Sequence, residues 1–186
     1  RAEYPKPLLE AQDSMAALGD VASSLALGDV PAAVAEALSL ARLTALRKRD
    51  NQVRGIATGD TLRRLVARTL AQQHGQAFNE ACAPFQFALS TRAGTDAAAH
   101  FLRAATEMRD DATIVALDGV GAYDHVSRAE MFRALLGNAS LAPLLPYART
   151  FYGRTSRYVW YDDDGVGHEI RQGEGVEQGD ALSPAF

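Results

Sequence analysis

The 186-residue chain has the length of one domain, and its 47% hydrophobic content is enough for a folded core. No apolar stretch approaches the roughly 20 residues that a membrane span needs, and no basic-then-apolar leader opens the chain, so neither membrane insertion nor secretion is supported. The single cysteine, Cys82, allows neither an internal disulfide nor a cysteine zinc site. This favours a reducing intracellular compartment, either nucleus or cytoplasm.

The net charge of -4 argues against a nucleic-acid binder, but the charge is unevenly distributed. Residues 42–68 carry eight basic residues against two acidic ones, Asp50 and Asp60. The basic residues are Arg42, Arg47, Lys48, Arg49, Arg54, Arg63, Arg64 and Arg68. Charge alone leaves two interpretations open, a solvated arginine-rich helix face and a surface that faces phosphates.

In the first half of the chain, the pattern predicts helices around one hairpin. Two turn signals divide the Ala- and Leu-rich first forty residues into two short helices. Over residues 43–58, apolar-alternating arms flank the turn-rich centre 49–51, which predicts a β-hairpin with a basic tip. Asp60 suits the N-cap of a helix that reaches about His74, because apolar residues follow it at helical spacing.

The next elements are a helix and a strand. A helix over residues 95–108 is expected to turn Phe101, Leu102 and Ala105 inward. The apolar run 113–117 then predicts a buried strand that ends on an acid.

Capping and turn signals organise the rest of the chain. Residues 127–130 form a capping-box pattern at a helix start, and Ser140 is expected to cap another helix up to about residue 152. Apolar arms around Asp163-Asp164-Gly165 predict a second hairpin over residues 157–171. Ser183 and Pro184 suit the N-cap and first position of a final helix.

The acid at the end of the apolar run is Asp118, and a buried carboxylate is costly unless it is paired or binds a cation. Local sequence leaves two roles open, a cap of the following turn and a metal ligand. Gly119 and Gly121 leave backbone N–H groups accessible to an anion. Tyr123 suits either the wall of a nucleotide-sugar site or the core.

Other candidate motifs are weaker on their own. Gln178-Gly179-Asp180 precedes the predicted final helix, at a position where anions and nucleotide edges are accommodated. The four histidines are scattered without ligand spacing, and the acids at 162–164 indicate a solvated turn.

Taken in order, these segments resemble the reverse transcriptase domain of non-long-terminal-repeat (LINE-type) retrotransposons. KRDNQVRGIATGDTLRRLVARTLA, from Lys48, is similar to the fingers hairpin and following helix, and APFQFALSTRAGTDAAAH to the stretch leading into the palm. LDGVGAYDHVSRAEMFRAL is similar to the first catalytic motif, and GVEQGDALSPAF to the later motif that contains Gln-Gly-Asp. Gly55 and Ala181 stand where the family usually has proline.

The resemblance implies an α+β chain with an incomplete right-hand polymerase fold, fingers plus partial palm, built from β-hairpins and packed helices. It divides the chain into a helical lead-in (1–42), fingers hairpin and helix (43–82), palm entry with the first catalytic motif (83–126), helices and a hairpin returning to the fingers (127–172), and the start of a second palm motif (173–186). An aromatic-Ala-Asp-Asp catalytic hairpin and the thumb are then expected beyond residue 186. The chain is accordingly expected to be a fragment that is inactive alone.

The implied activity is RNA-directed DNA polymerisation, in which two Mg²⁺ ions, or Mn²⁺ in their place, support transfer of dNTPs onto a primer. By the resemblance, Asp118 is a catalytic aspartate. Its carboxylate and the backbone carbonyl of Gly119 are then metal ligands. The implied nucleotide-binding residues are Lys48, Arg54, Gly121, Ala122, Tyr123, Gln178 and Gly179. The implied partners are an RNA template, a DNA primer, dNTPs and the rest of a polyprotein, with no membrane.

Three alternatives stay open. The first is a degenerate, non-catalytic remnant that only binds nucleic acid or a partner. The second is an RNA-dependent RNA polymerase, which has a second aspartate at the spacing of Asp124 but opens its later motif with Ser-Gly, where this chain has Gln178-Gly179. The third is a group II intron-type reverse transcriptase.

Overall fold

The computed structural model describes residues 12–49, 51–84, 86–89 and 91–186. Within these residues the chain forms eight α-helices and a four-stranded mixed sheet, which confirms the α+β class. The first eleven residues of the predicted lead-in, and Asp50 at the predicted hairpin tip, lie outside the described residues. Among the described helices, none has the length and apolar character of a membrane span.

The helices form largely where the capping signals predict them. In chain order they are α1 Gln12–Ala26, α2 Ala32–Ser39, α3 Thr61–Gln73, α4 Gly75–Cys82, α5 Gly94–Met108, α6 Ala122–His125, α7 Arg128–Gly137 and α8 Leu145–Tyr152, with a 3₁₀ turn at Ala142–Leu144. Asp60 caps α3 by accepting a hydrogen bond from the Leu62 amide at 2.8 Å. Ser127 caps α7 by accepting one from the Glu130 amide at 3.4 Å.

The sheet joins the two predicted hairpins, both of which are confirmed. Its strands are β1 Leu40–Arg47, β2 Val53–Thr58, β3 Ser156–Tyr161 and β4 Gly167–Gln172, in the order β2-β1-β3-β4. The β1–β2 and β3–β4 pairs are antiparallel, whereas β1 and β3 pair in parallel from Leu40↔Arg157 to Arg42↔Val159. Through this short parallel contact, the basic first hairpin lies beside the second hairpin, although the paired residues are more than a hundred positions apart in sequence.

The helices pack around one core to which the end of the chain also contributes. Buried residues of this core come from α1, α3, α4, α7 and α8, and they are joined by Val176 and Leu182, which follow β4. Tyr147, Phe151 and Tyr152 of α8 are almost completely buried at its centre. The segment after β4 is therefore anchored to the helices.

Two predictions about residues 95–117 are wrong. Residues 112–119 have no regular secondary structure, and Val115 and Leu117 are 72% and 92% exposed instead of lying in a buried strand. A strand needs a pairing partner, and no described strand pairs with this run. Helix α5 forms as predicted but buries no residue, so that Phe101 and Leu102 are exposed at 58% and 43%.

Two predicted caps do not form. Ser140 lies within a turn, where its amide donates to the Asn138 side chain at 3.0 Å, and α8 begins at Leu145. Residues 181–185 form turns, in which the Phe186 amide donates to the Leu182 carbonyl at 3.2 Å, so the final helix stays a prediction. Ser183 does not cap there because its hydroxyl lies buried, 3.5 Å from the Tyr152 hydroxyl.

Candidate functional site

The first part of the candidate site is the AYD turn (residues 121–126), which surrounds the short helix α6. Gly121 precedes α6 with φ 62°, a left-handed conformation that favours glycine. The Asp124 amide donates to the Gly121 carbonyl at 2.9 Å and closes the turn. The Tyr123 side chain is half-buried against the helical core, while Asp124 is exposed.

The second part is the QGD segment (residues 174–180), which docks on the AYD turn. The Gly175 amide donates to the Val126 carbonyl at 2.8 Å, and the Val176 amide donates to the Tyr123 carbonyl at 2.7 Å. A Cβ on Gly175, which has φ 78°, would lie 2.5 Å from the Asp124 carbonyl oxygen. Only glycine fits this contact, so backbone geometry holds the two motifs together.

The QGD segment also contacts the first hairpin. A Cβ on Gly179 would lie 2.1 Å from the carbonyl oxygen of Ala57 in β2. Glycine is therefore required by a close backbone approach, and the QGD segment is held between the AYD turn and the sheet.

A cleft of about 180 Å³ lies between these parts. Its sheet side is lined by Leu43, Gly55, Ala57, Tyr158, Ile170 and Gln172, and its other side by Asp124, Val176, Glu177 and Gln178. The structure thus brings Gln178 of the second predicted motif to the same cleft as Asp124 of the first.

Beneath the QGD segment lies a buried charge cluster centred on Arg63 of α3, whose exposed fraction is 1%. Its Nη1 donates to Glu177 Oε1 at 3.0 Å, and its Nη2 donates to Asp180 Oδ2 at 3.3 Å. The guanidinium carbon lies 4.3 Å from the centre of the Phe151 ring. The Tyr152 hydroxyl donates to Asp180 Oδ2 at 2.8 Å.

The protonation states of this cluster follow from burial and from the neighbouring charges. Burial alone would lower the pKa of Arg63, but the negative charges of Glu177 and, more weakly, Asp180 raise it above its ordinary value, so the guanidinium stays charged. Burial raises the pKa of Glu177, and the positive charge of Arg63 offsets only part of this rise. Burial and the charge of Asp180 raise the pKa of Tyr152, which keeps its hydroxyl protonated and able to donate.

A second buried arginine fixes the start of the QGD segment. Arg128, the first residue of α7, donates through Nε to the Gly175 carbonyl at 2.8 Å and through Nη2 to Ser156 Oγ at 2.8 Å. Its own amide donates to Glu174 Oε2 at 2.9 Å. Arg128 therefore ties the QGD segment to α7 and β3.

The remaining predicted site residues lie apart from the cleft. Asp118 and Gly119 are exposed in the irregular stretch 112–119, before the AYD turn. Lys48 and Arg54 are exposed on the first hairpin, where the Lys48 amide donates to the Gln52 carbonyl at 2.8 Å. Ala122 begins α6, and its side chain is exposed. Over the described part of the chain, no three acidic, histidine or cysteine side chains converge as a metal site.

Sequence reasoning missed the buried cluster, although the sequence carries a signal for it. Arg63 shares helical spacing with Val66, Ala67 and Leu70, so it lies on the apolar face of α3 and not on its basic face. An arginine at such a position requires buried acids, and Glu177 and Asp180 flank Gln178. Which acids meet it depends on the tertiary fold.

Comparison with known proteins gives one distant relationship. The chain is 24% identical over 160 residues to the retrotransposable element SLACS 132 kDa protein of Trypanosoma brucei gambiense. The match covers 84% of this chain but only 13% of that protein. No protein-family model matches the chain. The similarity indicates a retrotransposon-related protein without showing a domain family.

Proposed function

We propose that the chain is the fingers and partial palm of a retrotransposon RNA-directed DNA polymerase. One observation carries the proposal: the Val176 amide donates to the Tyr123 carbonyl at 2.7 Å, so that the AYD turn and the QGD segment, far apart in sequence, form one cleft against the basic hairpin. The distant similarity to a retrotransposable element protein supports the same assignment. In this proposal, the cleft of about 180 Å³ receives the base of the incoming dNTP.

The reacting end of the site would be Asp118, with the Gly119 carbonyl beside it. A carboxylate and a carbonyl oxygen are of the ligand type that Mg²⁺ takes, and further ligands would come from outside the described residues. Bound Mg²⁺ would supply activation of the primer hydroxyl and neutralisation of the triphosphate. Asp118 lies in an exposed stretch, where a metal and a primer can reach it.

The other residues would bind and select the nucleotide. Lys48 and Arg54 would attract the phosphates from the hairpin, and the N–H groups of Gly121 and Ala122 would donate to them. Gln178, with Gly179 beside it, would contact the nucleotide or template base in the cleft. Tyr123 would exclude a ribose 2′-hydroxyl.

The test uses the full-length parent protein with a primed RNA template, Mg²⁺ and dNTPs. Wild type should extend the primer, Asp118→Asn should abolish extension, and Asp110→Asn, a matched exposed aspartate, should behave as wild type. Extension by Asp118→Asn at the wild-type rate would remove Asp118 from the proposed site.

Selection of the sugar is tested separately. Tyr123→Ala should raise incorporation of ribonucleotides relative to deoxynucleotides, because the ring would no longer exclude the 2′-hydroxyl. Unchanged discrimination would leave Tyr123 as a core residue only.

A second candidate function is a non-catalytic remnant that binds nucleic acid. It is favoured by the surface of residues 42–68, in which seven of the eight basic residues are exposed and only Arg63 is buried. RNA binding by a parent that extends no primer would support this candidate over the polymerase.

A further inference from the structure

We infer that Arg63 is a positioning residue: from beneath the QGD segment, it holds Gln178 in the cleft that Asp124 also lines. The inference rests on the proposed function and adds to it a residue that touches neither nucleotide nor metal. Arg63 lies on α3, and its guanidinium is buried with the two acids on either side of Gln178.

The guanidinium spans the turn that carries Gln178. Its Nη1 binds Glu177, the residue before Gln178, and its Nη2 binds Asp180, two residues after it, at 3.0 and 3.3 Å. The Asp180 amide donates to the Glu177 carbonyl at 3.0 Å and closes the turn. Residues 178 and 179 therefore lie between two anchors, the side chains of Glu177 and Asp180, which both bind Arg63.

The anchors are themselves held in place. Asp180 Oδ2 accepts from Tyr152 at 2.8 Å, and Asp180 Oδ1 accepts from the Leu182 amide at 3.0 Å. In the part of the chain that the structure describes, no buried side-chain nitrogen or oxygen lacks a hydrogen-bond partner. A fully satisfied buried network is rigid, and it transmits a change at Arg63 to the turn.

The geometry requires arginine and not merely a positive charge. Two separate nitrogens of one planar group bind the two carboxylates, while the guanidinium carbon lies 4.3 Å from the Phe151 ring centre. A lysine ammonium is a single point donor that cannot make the same fork and stack. Arg63→Lys therefore keeps the charge but should release one anchor of the turn.

The test measures steady-state kinetics of the full-length parent on a primed RNA template. Arg63→Lys should raise KM for dNTP about tenfold while kcat and KM for the template-primer change less than about twofold. The control is Arg149→Lys on α8, an exposed arginine, which should match wild type. Unchanged KM for dNTP in Arg63→Lys, or equal losses in kcat and in template binding, would overturn the inference.

A double-mutant cycle separates positioning from a general effect on folding. If Arg63 acts through Gln178, Arg63→Lys should add no further rise in KM to Gln178→Ala, because the group it positions is already absent. Additive effects of the two substitutions would contradict the inference. Asp180→Asn, which keeps the size of the side chain, should also raise KM for dNTP without adding to the rise in Gln178→Ala. This variant shows whether the effect is specific to a lysine at position 63.

Hydrogen exchange of the same parent preparations provides a readout besides activity. Arg63→Lys should speed amide exchange at Val176 and Asp180 about tenfold while that of the β1–β2 hairpin stays unchanged. If the parent extends no primer, the proposed function fails, and exchange still decides whether Arg63 holds the segment. Unchanged exchange at both amides would overturn the inference in either case.

Discussion

The QGD segment and the Asp118 segment (residues 112–120) carry the two halves of the candidate site, and they are held in opposite ways. The QGD segment is fixed by two buried arginines and two close glycine contacts. The Asp118 segment has no regular secondary structure, and its apolar residues Leu117 and Val120 are exposed. The QGD half of the candidate site is thus built into the core, whereas the Asp118 half lies exposed at the surface of the described structure.

The largest expected effect is on stability at Arg63. Arg63→Met should lower the free energy of unfolding by about 3–5 kcal/mol, because it leaves Glu177 and Asp180 buried without their counter-ion. Asp118→Asn in the exposed segment should change it by less than about 0.5 kcal/mol. Urea unfolding followed by the fluorescence of Trp160 measures both, and equal effects would contradict the contrast between the segments.

The glycines give a second, smaller contrast. Gly179→Ala should cost about 1–3 kcal/mol, since its Cβ would lie 2.1 Å from the Ala57 carbonyl oxygen and one backbone must move. In Gly119→Ala the new Cβ would meet only Ala122 Cβ at 3.8 Å, an ordinary contact, and no loss is expected. Urea unfolding measures both substitutions. A Gly179→Ala variant with the free energy of unfolding of wild type would show that the QGD segment is not tightly held against β2.

The smallest expected effect is a pH dependence from Glu177. Burial raises the pKa of its carboxyl above the ordinary 4.5, so the folded state binds this proton more tightly than the unfolded state does. The resulting contribution to stability is complete below 4.5 and is lost as pH rises through the folded-state pKa.

Glu177→Gln should remove that decline, which unfolding experiments at a series of pH values above 4.5 would reveal. A decline of the same size in the variant would assign it to another group.

The elements that sequence reasoning predicted are those set by local chemistry. Asp60 and Ser127 cap helices because each needs only amides two or three residues away. The second hairpin forms around Asp163-Asp164-Gly165, and Gly165 has φ 78°, as such a turn requires.

Apart from the Ser140 cap, the failures concern contacts between distant residues. The run 113–117 has strand composition, but whether it forms a strand depends on a partner that composition does not specify. Phe101 and Leu102 lie on a helix that packs no side chain into the core. The charge pattern groups Arg63 with the basic surface, although its partners lie more than a hundred residues later.

Primer extension by the full-length parent tests the central claim most directly, with wild type, Asp118→Asn and Arg63→Lys compared on one primed RNA template with Mg²⁺ and dNTPs. We expect extension by wild type, none by Asp118→Asn, and a raised KM for dNTP with nearly unchanged kcat for Arg63→Lys. A parent that extends no primer, or an Asp118→Asn variant as active as wild type, would contradict that claim.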